Sequence, residues 1–404
     1  MDDIWDVKGK KISMKTGVVT YFDIANYGSV LQAFAMRQTL KKLGSECVFI
    51  RIKETRPLHK YLHKLHVACV TGTKYLFNKS ARSTHREIHS LKKQSITGVS
   101  EESNAAFREF IDKNLPSLAI GRLALKKTAA GEEFFAFICG SDQIWSPLSL
   151  HISSYKYLEF APEWKRIAYA PSFGVEDIPS YNRSYVKKAL LRIDQLSVRE
   201  HNGADIIRRL TGRDAPVLLD PTMLLTGEEW RELYKESRPC RPNSPYALCY
   251  FFDEPEDETI EQITAFTESH DLKLVVLMTN NTKLLQKGAK YIIANPWQFL
   301  ELVDNAEYVF TNSFHGGVFS VLFDKHFTIF GRKHSQTVKQ TSRIDSLLTT
   351  VGAEDCFYTN NREFYFTEEI CYSEKLTKQR EKSLDYLGNA LKKVQKPERI
   401  EGKV

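Results

Sequence analysis

Short runs of β-branched and aromatic residues alternate along most of the chain with segments whose apolar residues recur at helical spacing. Residues 16–22, TGVVTYF, predict a strand, and in the segment that follows Val30 and Phe34 recur on one helical face. Later strand-like runs include QLSVRE (195–200) and PVLLDPT (216–222). This alternation is typical of βα units built on mostly parallel sheets.

The alternation breaks once between two long blocks. Residues 237–245, SRPCRPNSP, are rich in proline, arginine and serine, a composition that predicts a linker. We therefore expect an α/β fold of two Rossmann-like domains facing a central cleft, over residues 15–235 and 245–366. Residues 367–404 predict one long amphipathic helix that packs back on the first domain.

The segment 57–94 does not follow the alternation. It interleaves apolar residues with basic ones against a single acidic residue, Glu87. One interpretation is a helical insertion with a solvated basic face, and the other is a surface that meets anionic lipid headgroups or a lipid-linked diphosphate. Its basic residues are Lys60, Lys64, Lys74, Lys79, Arg82, Arg86, Lys92 and Lys93.

Composition fits a globular protein, since 42% of the 404 residues are apolar and 12% are aromatic. The first residues lack the apolar core of a signal peptide, and no run of about 20 apolar residues occurs. We expect a cytoplasmic protein, with peripheral contact to the membrane only under the second interpretation of segment 57–94.

Charge and cysteines exclude several classes of function. The formal charge of +7 is modest for this length and suggests acidic ligands, not nucleic acid. The seven cysteines are widely spaced without a CxxC pair, which argues against disulfides and structural zinc. His59, His63 and His66 lie at i, i+4 and i+7, and His85 and His89 at i and i+4, but no carboxylate or cysteine partners them at useful spacing, so we expect no metal.

Polar residues that could bind a ligand or take part in catalysis are concentrated in four short stretches, and each stretch follows a strand-like run. Because the carboxyl ends of parallel strands gather at one edge of a sheet, we expect all four to meet in one cleft. The stretches are ANYGSVLQAF (25–34), CGSDQIW (139–145), LSVREHNGAD (196–205) and TNSFHGGVFSVLF (311–323).

The order of these motifs resembles that of the polysaccharide pyruvyl transferases. The similarity covers about Gly17 to Leu348, and its motifs are NYGSVLQA, GSDQIW, YAPSFG, SVRE, LDPTMLL, SFHGG and SRIDSLL. The resemblance implies a fold similar to GT-B glycosyltransferases. It also implies transfer of the enolpyruvyl unit of phosphoenolpyruvate to a sugar as a ketal, with release of phosphate and without a cofactor.

Phosphoenolpyruvate carries a phosphate and a carboxylate close together, so its site needs cations and N–H donors. We expect His315 to hold or protonate the departing phosphate, although a structural histidine is the alternative. The resemblance suggests that Arg199 clamps the donor, and the alternative is an internal ion pair with Glu200 or Asp220. Further donor-binding candidates are Ser313, Gly316 and Gly317, with Arg343 and Arg332 as weaker cationic ones. The two glycines would let the backbone come close to an anion, or would only pack a helix against its sheet.

The acceptor sugar needs a group that accepts a hydroxyl proton, and Asp142 is the candidate. Gln143 is a further contact, and Trp145 could offer a flat face to the sugar ring. The alternative is a helix N-cap at Ser141 or Asp142 with Trp145 in the core. Asn26, Gly28 and Ser29 open the first helix and complete the acceptor candidates.

Two other functions remain open. A shared fold does not fix activity, so the chain could be a glycosyltransferase that uses a nucleotide sugar. It could also be a non-catalytic subunit of a polysaccharide assembly complex. Under the main hypothesis the partners are phosphoenolpyruvate and a glycan or lipid-linked sugar.

Overall fold

Two parallel sheets form the framework of the computed structural model, which describes residues 15–53, 56–94, 100–277, 282–332, 342–359, 363–364, 366 and 370–395. The first sheet has the order β3-β2-β1-β4-β5. Its strands are β1 (Lys15–Val19), β2 (Glu46–Ile52), β3 (Ser117–Ile120), β4 (Ala136–Cys139) and β5 (Arg166–Ala168).

The second sheet repeats this arrangement in the order β10-β9-β6-β7-β8. In both sheets the first strand in sequence lies at the centre, between the second and the fourth. The expected α/β fold with two parallel-sheet domains is therefore confirmed. The strands are β6 (Tyr246–Tyr250), β7 (Lys273–Leu277), β8 (Lys290–Ile292), β9 (Tyr308–Thr311) and β10 (His326–Ile329).

Helices connect the strands in both domains. The helices up to the linker are α1 (Tyr27–Lys42), α2 (Pro57–Phe77), α3 (Lys79–Gln94), α4 (Glu101–Asn114), α5 (Arg122–Ala130), α6 (Ser180–Leu190), α7 (His201–Thr211) and α8 (Gly227–Tyr234). Those after it are α9 (Asp257–Ser269), α10 (Thr282–Gln286), α11 (Pro296–Asp304), α12 (Phe314–Leu322), α13 (Ser342–Val351), α14 (Tyr372–Lys375) and α15 (Thr377–Gln395). Residues 237–245, the predicted linker, contain no helix or strand.

Two predicted strands form only isolated bridges. Gln195 pairs with Ile167, and Val217 pairs with Val198, so the runs QLSVRE and PVLLDPT continue the first sheet without becoming regular strands. Both runs turn away after a few residues because they lead directly to buried polar side chains, Arg199 and Asp220.

The C-terminal segment packs on the first sheet, as predicted, but it is not one helix. It divides at Leu376 between α14 and α15, and its residues 367–369 and 396–404 lie outside the described part. The Oγ of Ser383 accepts a hydrogen bond of 3.1 Å from the N–H of Leu219. Tyr386 donates its hydroxyl to the carbonyl of Ala168 at 3.3 Å.

Aromatic side chains join the two domains. Tyr27 of α1 stacks on Phe299 of α11 with 4.4 Å between ring centroids and 8° between planes. The hydroxyl of Tyr27 donates to the carbonyl of Ala294 at 2.7 Å. One cluster of buried apolar residues runs from β1 and β2 of the first sheet to β7 and β9 of the second. The first helix therefore fixes one domain against the other.

Segment 57–94 is helical, as predicted, and forms α2 and α3. Within the described residues, no helix is both long and apolar enough to cross a membrane.

We predict that Tyr27→Ala lowers the free energy of unfolding by about 3–5 kcal/mol, because it removes a buried ring at the domain contact. Tyr27→Phe leaves the carbonyl of Ala294 without its donor and should lower that free energy by about 1–3 kcal/mol. Urea titration followed by fluorescence measures both. Tyr61→Ala, at a position that is 64% exposed, is the matched control and should change stability by less than about 0.5 kcal/mol. Equal effects at Tyr27 and Tyr61 would contradict the assigned contact.

Candidate functional site

The site lies where the strand order reverses in each sheet, which is where open α/β sheets bind ligands. In the first domain, the chain leaves β1 toward Ser29 and leaves β4 toward Asp142. In the second, it leaves β9 toward His315. The structure brings the four predicted stretches together, because Arg199 follows the short pairing at Val198 and reaches the same place.

Asp142 connects three of these stretches. Its Oδ2 accepts a hydrogen bond of 2.7 Å from the hydroxyl of Ser29, and its Oδ1 lies 3.8 Å from a guanidinium nitrogen of Arg199. Burial raises the pKa of this carboxyl, but the charges of Arg199 and His315 and the bond from Ser29 outweigh it. The pKa of Asp142 therefore lies below its ordinary value, and the group is ionised at neutral pH.

Asp220 is the buried centre of the site. Its Oδ2 accepts hydrogen bonds from Arg199 at 2.7 Å and from the hydroxyl of Ser141 at 2.9 Å. Its Oδ1 accepts from the N–H and hydroxyl of Thr222 at 3.1 and 2.8 Å, and lies 3.6 Å from Nε2 of His315. Burial raises its pKa, but His315, Arg199 and Thr222 together hold the pKa of Asp220 far below the usual range.

Positive charge is concentrated beside this carboxylate. The guanidinium of Arg199 lies 4.5 Å from the ring centroid of Phe314, and that of Arg343 lies 5.6 Å from the same centroid. Burial, together with the charges of Arg199 and Arg332, lowers the pKa of Arg343 to about 9. Crowded cations of this kind favour the binding of an anion, which relieves their mutual repulsion.

Several buried donors at the site have no hydrogen-bond partner among the described residues. They are Nε2 of His315 and the Nε and Nη2 of Arg199. A cavity of about 70 Å³ beside Arg199 is lined by Arg343, His201 and Lys382 as further basic residues, with Asp220 as its acidic member. Buried donors normally find an acceptor, so this arrangement can bind a ligand with carboxylate or phosphate oxygens.

The alternative for Arg199, an ion pair with Asp220, is present in the structure. It occupies only one guanidinium nitrogen, Nη1. Glu200, the other candidate partner, accepts instead from Ser172 and from the N–H groups of Phe173 and Gly174. The ion pair therefore orients Arg199 and leaves Nε and Nη2 of its planar guanidinium for a ligand.

Gly316 and Gly317 were predicted to let the backbone come close to an anion, with packing of a helix against its sheet as the alternative, and the contacts of both glycines favour the alternative. Gly316 donates its N–H to the Oγ of Ser313 at 3.2 Å, and Gly317 donates to the carbonyl of Ser313 at 3.1 Å. A Cβ on Gly316 would lie 2.4 Å from Thr311, and one on Gly317 would lie 2.3 Å from Ile329. These glycines let α12 pack closely on its sheet, and Ser313, 2% exposed, is the N-cap of that helix.

Trp145 is not available to a sugar. It is 1% exposed, stacks on Tyr157 with 5.3 Å between centroids, and donates its Nε1 to the carbonyl of Lys156 at 3.2 Å. The alternative interpretation, a core tryptophan, is correct for this residue, because the chain turns inward after Asp142 and Gln143.

The remaining acceptor candidates have identifiable contacts. The side chain of Asn26 accepts from the N–H of Ser29 at 3.0 Å and caps α1. Gln143 donates its N–H to Oδ1 of Asp142 at 2.8 Å. Gly28 contacts the imidazole of His315, since a Cβ at Gly28 would lie 2.0 Å from its Nδ1. The first helix thereby sets the position of a histidine that belongs to the second domain.

Sequence reasoning missed the central role of Asp220, which it considered only as an alternative partner of Arg199. It also missed Phe314, whose ring faces both arginines. The signal for Asp220 was a polar residue placed between the apolar run PVLL and Pro221-Thr222. An aspartate before proline caps the turn that follows, and here the same carboxylate also receives the cations of the site.

Comparison with known protein families identifies the chain. The family model described as Polysaccharide pyruvyl transferase matches residues 26–334, well over half of the sequence. The chain belongs to this family. The match includes Asp142, Arg199, Asp220 and His315, so the core of the site lies within the part shared with other polysaccharide pyruvyl transferases. No curated protein matches the sequence significantly.

Solved structures similar to this polysaccharide pyruvyl transferase include two epimerases. UDP-GlcNAc 2-epimerase from Methanocaldococcus jannaschii is 14% identical, with a TM-score of 0.47 over 92% of this chain and 93% of that one. The Neisseria meningitidis enzyme bound to UDP-GlcNAc is 8% identical, with a TM-score of 0.45 over 94% of each chain. MurG from Acinetobacter baumannii is 9% identical, with a TM-score of 0.41 over 95% and 94%.

We predict that Gly28→Ala destabilises the protein by about 1–3 kcal/mol, because the added methyl group overlaps the imidazole of His315. In the double variant with His315→Ala, the overlap with the ring is removed and only the close contact with the Cβ of residue 315, at 2.8 Å, remains, so part of that loss should disappear. Urea unfolding of the four proteins gives the coupling free energy. Gly72→Ala, where a Cβ meets nothing within 4 Å, is the control and should raise stability by up to about 1 kcal/mol. Additive effects of the two site substitutions would exclude the contact.

Proposed function

We propose that this polysaccharide pyruvyl transferase moves the enolpyruvyl unit of phosphoenolpyruvate onto a sugar of a glycan or lipid-linked precursor. The observation that carries the proposal is the set of buried donors on Arg199 and His315 that have no hydrogen-bond partner among the described residues. They lie among crowded cations, and phosphoenolpyruvate supplies two anionic groups that such donors can bind.

In this proposal the donor binds to the arginines. Arg199, held through Nη1 by Asp220, presents Nε and Nη2 to a carboxylate or phosphate in a bidentate contact. Arg343 adds a second buried guanidinium on the same ring of Phe314. Burial is the main cause of the lowered pKa of Arg343, and an anion bound between the two arginines relieves the repulsion that adds to it.

The reaction balances without a cofactor. A proton from solvent adds to the methylene carbon of phosphoenolpyruvate, and a sugar hydroxyl attacks the central carbon and gives its proton to Asp142. A second hydroxyl of the same sugar then displaces the phosphate from that carbon, and its proton leaves with the phosphate, so that the ketal forms and hydrogen phosphate is released. His315 supports the departing phosphate through Nε2, and Asp220 beside it stabilises the charged imidazole.

Asp142 orients the attacking hydroxyl and accepts its proton. In the protein alone, Arg199 and His315 contribute to the low pKa of Asp142, which makes it a weak base. An anionic donor on Arg199 offsets that positive field, so the pKa of Asp142 should rise when the donor is bound. Asp142 would then be a stronger base when the donor is bound than in the protein alone.

Ligand-induced stabilisation separates this function from the nucleotide-sugar alternative. Phosphoenolpyruvate at 100 times its dissociation constant should add about 2.7 kcal/mol to the free energy of unfolding. Phosphate release would be measured with phosphoenolpyruvate and a panel of free and lipid-linked sugars. Stabilisation by UDP-sugars alone, without phosphate release from phosphoenolpyruvate, would overturn the proposal. Ligand binding without turnover of any acceptor would favour the non-catalytic subunit.

We predict that His315→Ala and His315→Gln lower kcat by about 100-fold or more, the effect of removing one transition-state donor. Steady-state phosphate release measures this, and the thermal midpoint shows whether the variants remain folded. His326→Ala, on β10 away from the site, is the control and should keep its kcat. Full activity of folded His315→Ala would assign a structural role to His315.

Arg199→Lys should raise the KM for phosphoenolpyruvate by at least about tenfold, because a point charge cannot form the bidentate contact. The matched control is Arg166→Lys, which replaces a buried arginine that donates to the carbonyls of Ala161 and Arg192. Its KM should not change. An unchanged KM for phosphoenolpyruvate in Arg199→Lys would show that Arg199 does not bind the donor.

A further inference from the structure

Helix α2 carries an apolar stripe that faces away from the protein. Its leucines at positions 58, 62, 65 and 76 follow the spacing of one helical face. Leu58 is 65% exposed, Leu76 is 67% exposed and the adjacent Phe77 is 84% exposed. Isolated exposed leucines are ordinary, but several large apolar side chains exposed on one helical face mark an interaction surface. The outward stripe consists of Leu58, Tyr61, Leu62, Leu65, Leu76 and Phe77.

The opposite side of α2 is attached to the first domain. The ammonium group of Lys74 donates hydrogen bonds to the carbonyl of Leu150 at 2.8 Å and to Oδ1 of Asn182 at 2.5 Å. His63 lies 3.0 Å from a guanidinium nitrogen of Arg122. These contacts fix the rotation of the helix, so the outward stripe cannot turn inward without breaking them.

The net charge of the chain is confined to the same segment. Residues 57–94 hold eight basic residues and one acidic residue, an excess equal to the +7 of the whole chain. The rest of the sequence is therefore neutral overall. Lys60 and Lys64 are exposed on α2, and Lys79 and Arg86 are exposed on α3. An apolar face combined with basic residues is the pattern of helices that lie in a membrane interface.

We propose that α2 and α3 dock the protein on a bilayer that contains anionic lipids, with the outward stripe inserted among the headgroups. The positive charge selects this occupant over a second copy of the chain, whose equivalent surface would be repelled. Segment 57–94 follows β2 at the carboxyl edge of the first sheet, the edge that also carries Asp142. Docking would bring this edge toward the membrane. The inference concerns binding alone and does not rest on the proposed function.

Vesicle flotation tests the proposal with the full chain. Binding is measured on phosphatidylcholine vesicles with and without phosphatidylglycerol, and we expect it only with the anionic lipid. It should weaken between about 0.1 M and about 1 M salt, over which the Debye length falls from about 10 Å to about 3 Å. Lys60→Gln with Lys64→Gln should lower the partition coefficient about thirtyfold. Leu62→Ser with Leu65→Ser should lower it at least about tenfold.

Control variants lie on α5, on the side of α2 that faces the protein, where the change of two lysines removes the same charge and the change of Leu123 replaces one exposed leucine. Lys126→Gln with Lys127→Gln, and separately Leu123→Ser, should bind vesicles like the native chain. If the α2 and α5 variants lose vesicle binding equally, binding depends only on the total charge of the protein, and the proposal is overturned. A native dimer that becomes monomeric with Leu62→Ser and Leu65→Ser, without vesicle binding, would assign the stripe to a second copy and also overturn it.

Discussion

The structure depends on the neutralisation of one buried carboxylate. Asp220 is 0% exposed, and an isolated charge at such a position would destabilise the fold strongly. Arg199 approaches it from the same domain and His315 approaches it from the other. The interaction therefore does two things at once, since it compensates the charge in the first domain and fixes the active-site helix of the second. Aromatic packing of Tyr27 on Phe299 holds the same two domains together beside it.

Much of the fold could be predicted because local pattern and topology agree. Strands in a parallel sheet share one carboxyl edge, so motifs that follow strand-like runs must come close in space. Ser29, Asp142, Arg199 and His315 were predicted on this basis and do converge. The repeated strand order of the two sheets extends the same rule to both domains.

What could not be predicted depends on three-dimensional packing. Trp145 follows Asp142 by three residues, and only the inward turn of the chain decides that its ring stacks on Tyr157. Gly316 and Gly317 have the composition of an anion-binding turn, yet close approach to the sheet is what requires them. His315, which helps to neutralise Asp220, is distant from it in sequence. The sequence alone therefore does not show which positive charges surround Asp220.

The helix α15 has a consequence for the order of folding. It follows the whole second domain in sequence, yet it covers the first sheet through Ser383 and Tyr386 and adds Leu387 and Leu391 to the common core. During synthesis, the first domain emerges before its own covering helix exists. The part of the first sheet that α15 covers therefore stays without this helix until the ribosome has translated the second domain, so the first domain completes its core only after the second has been made.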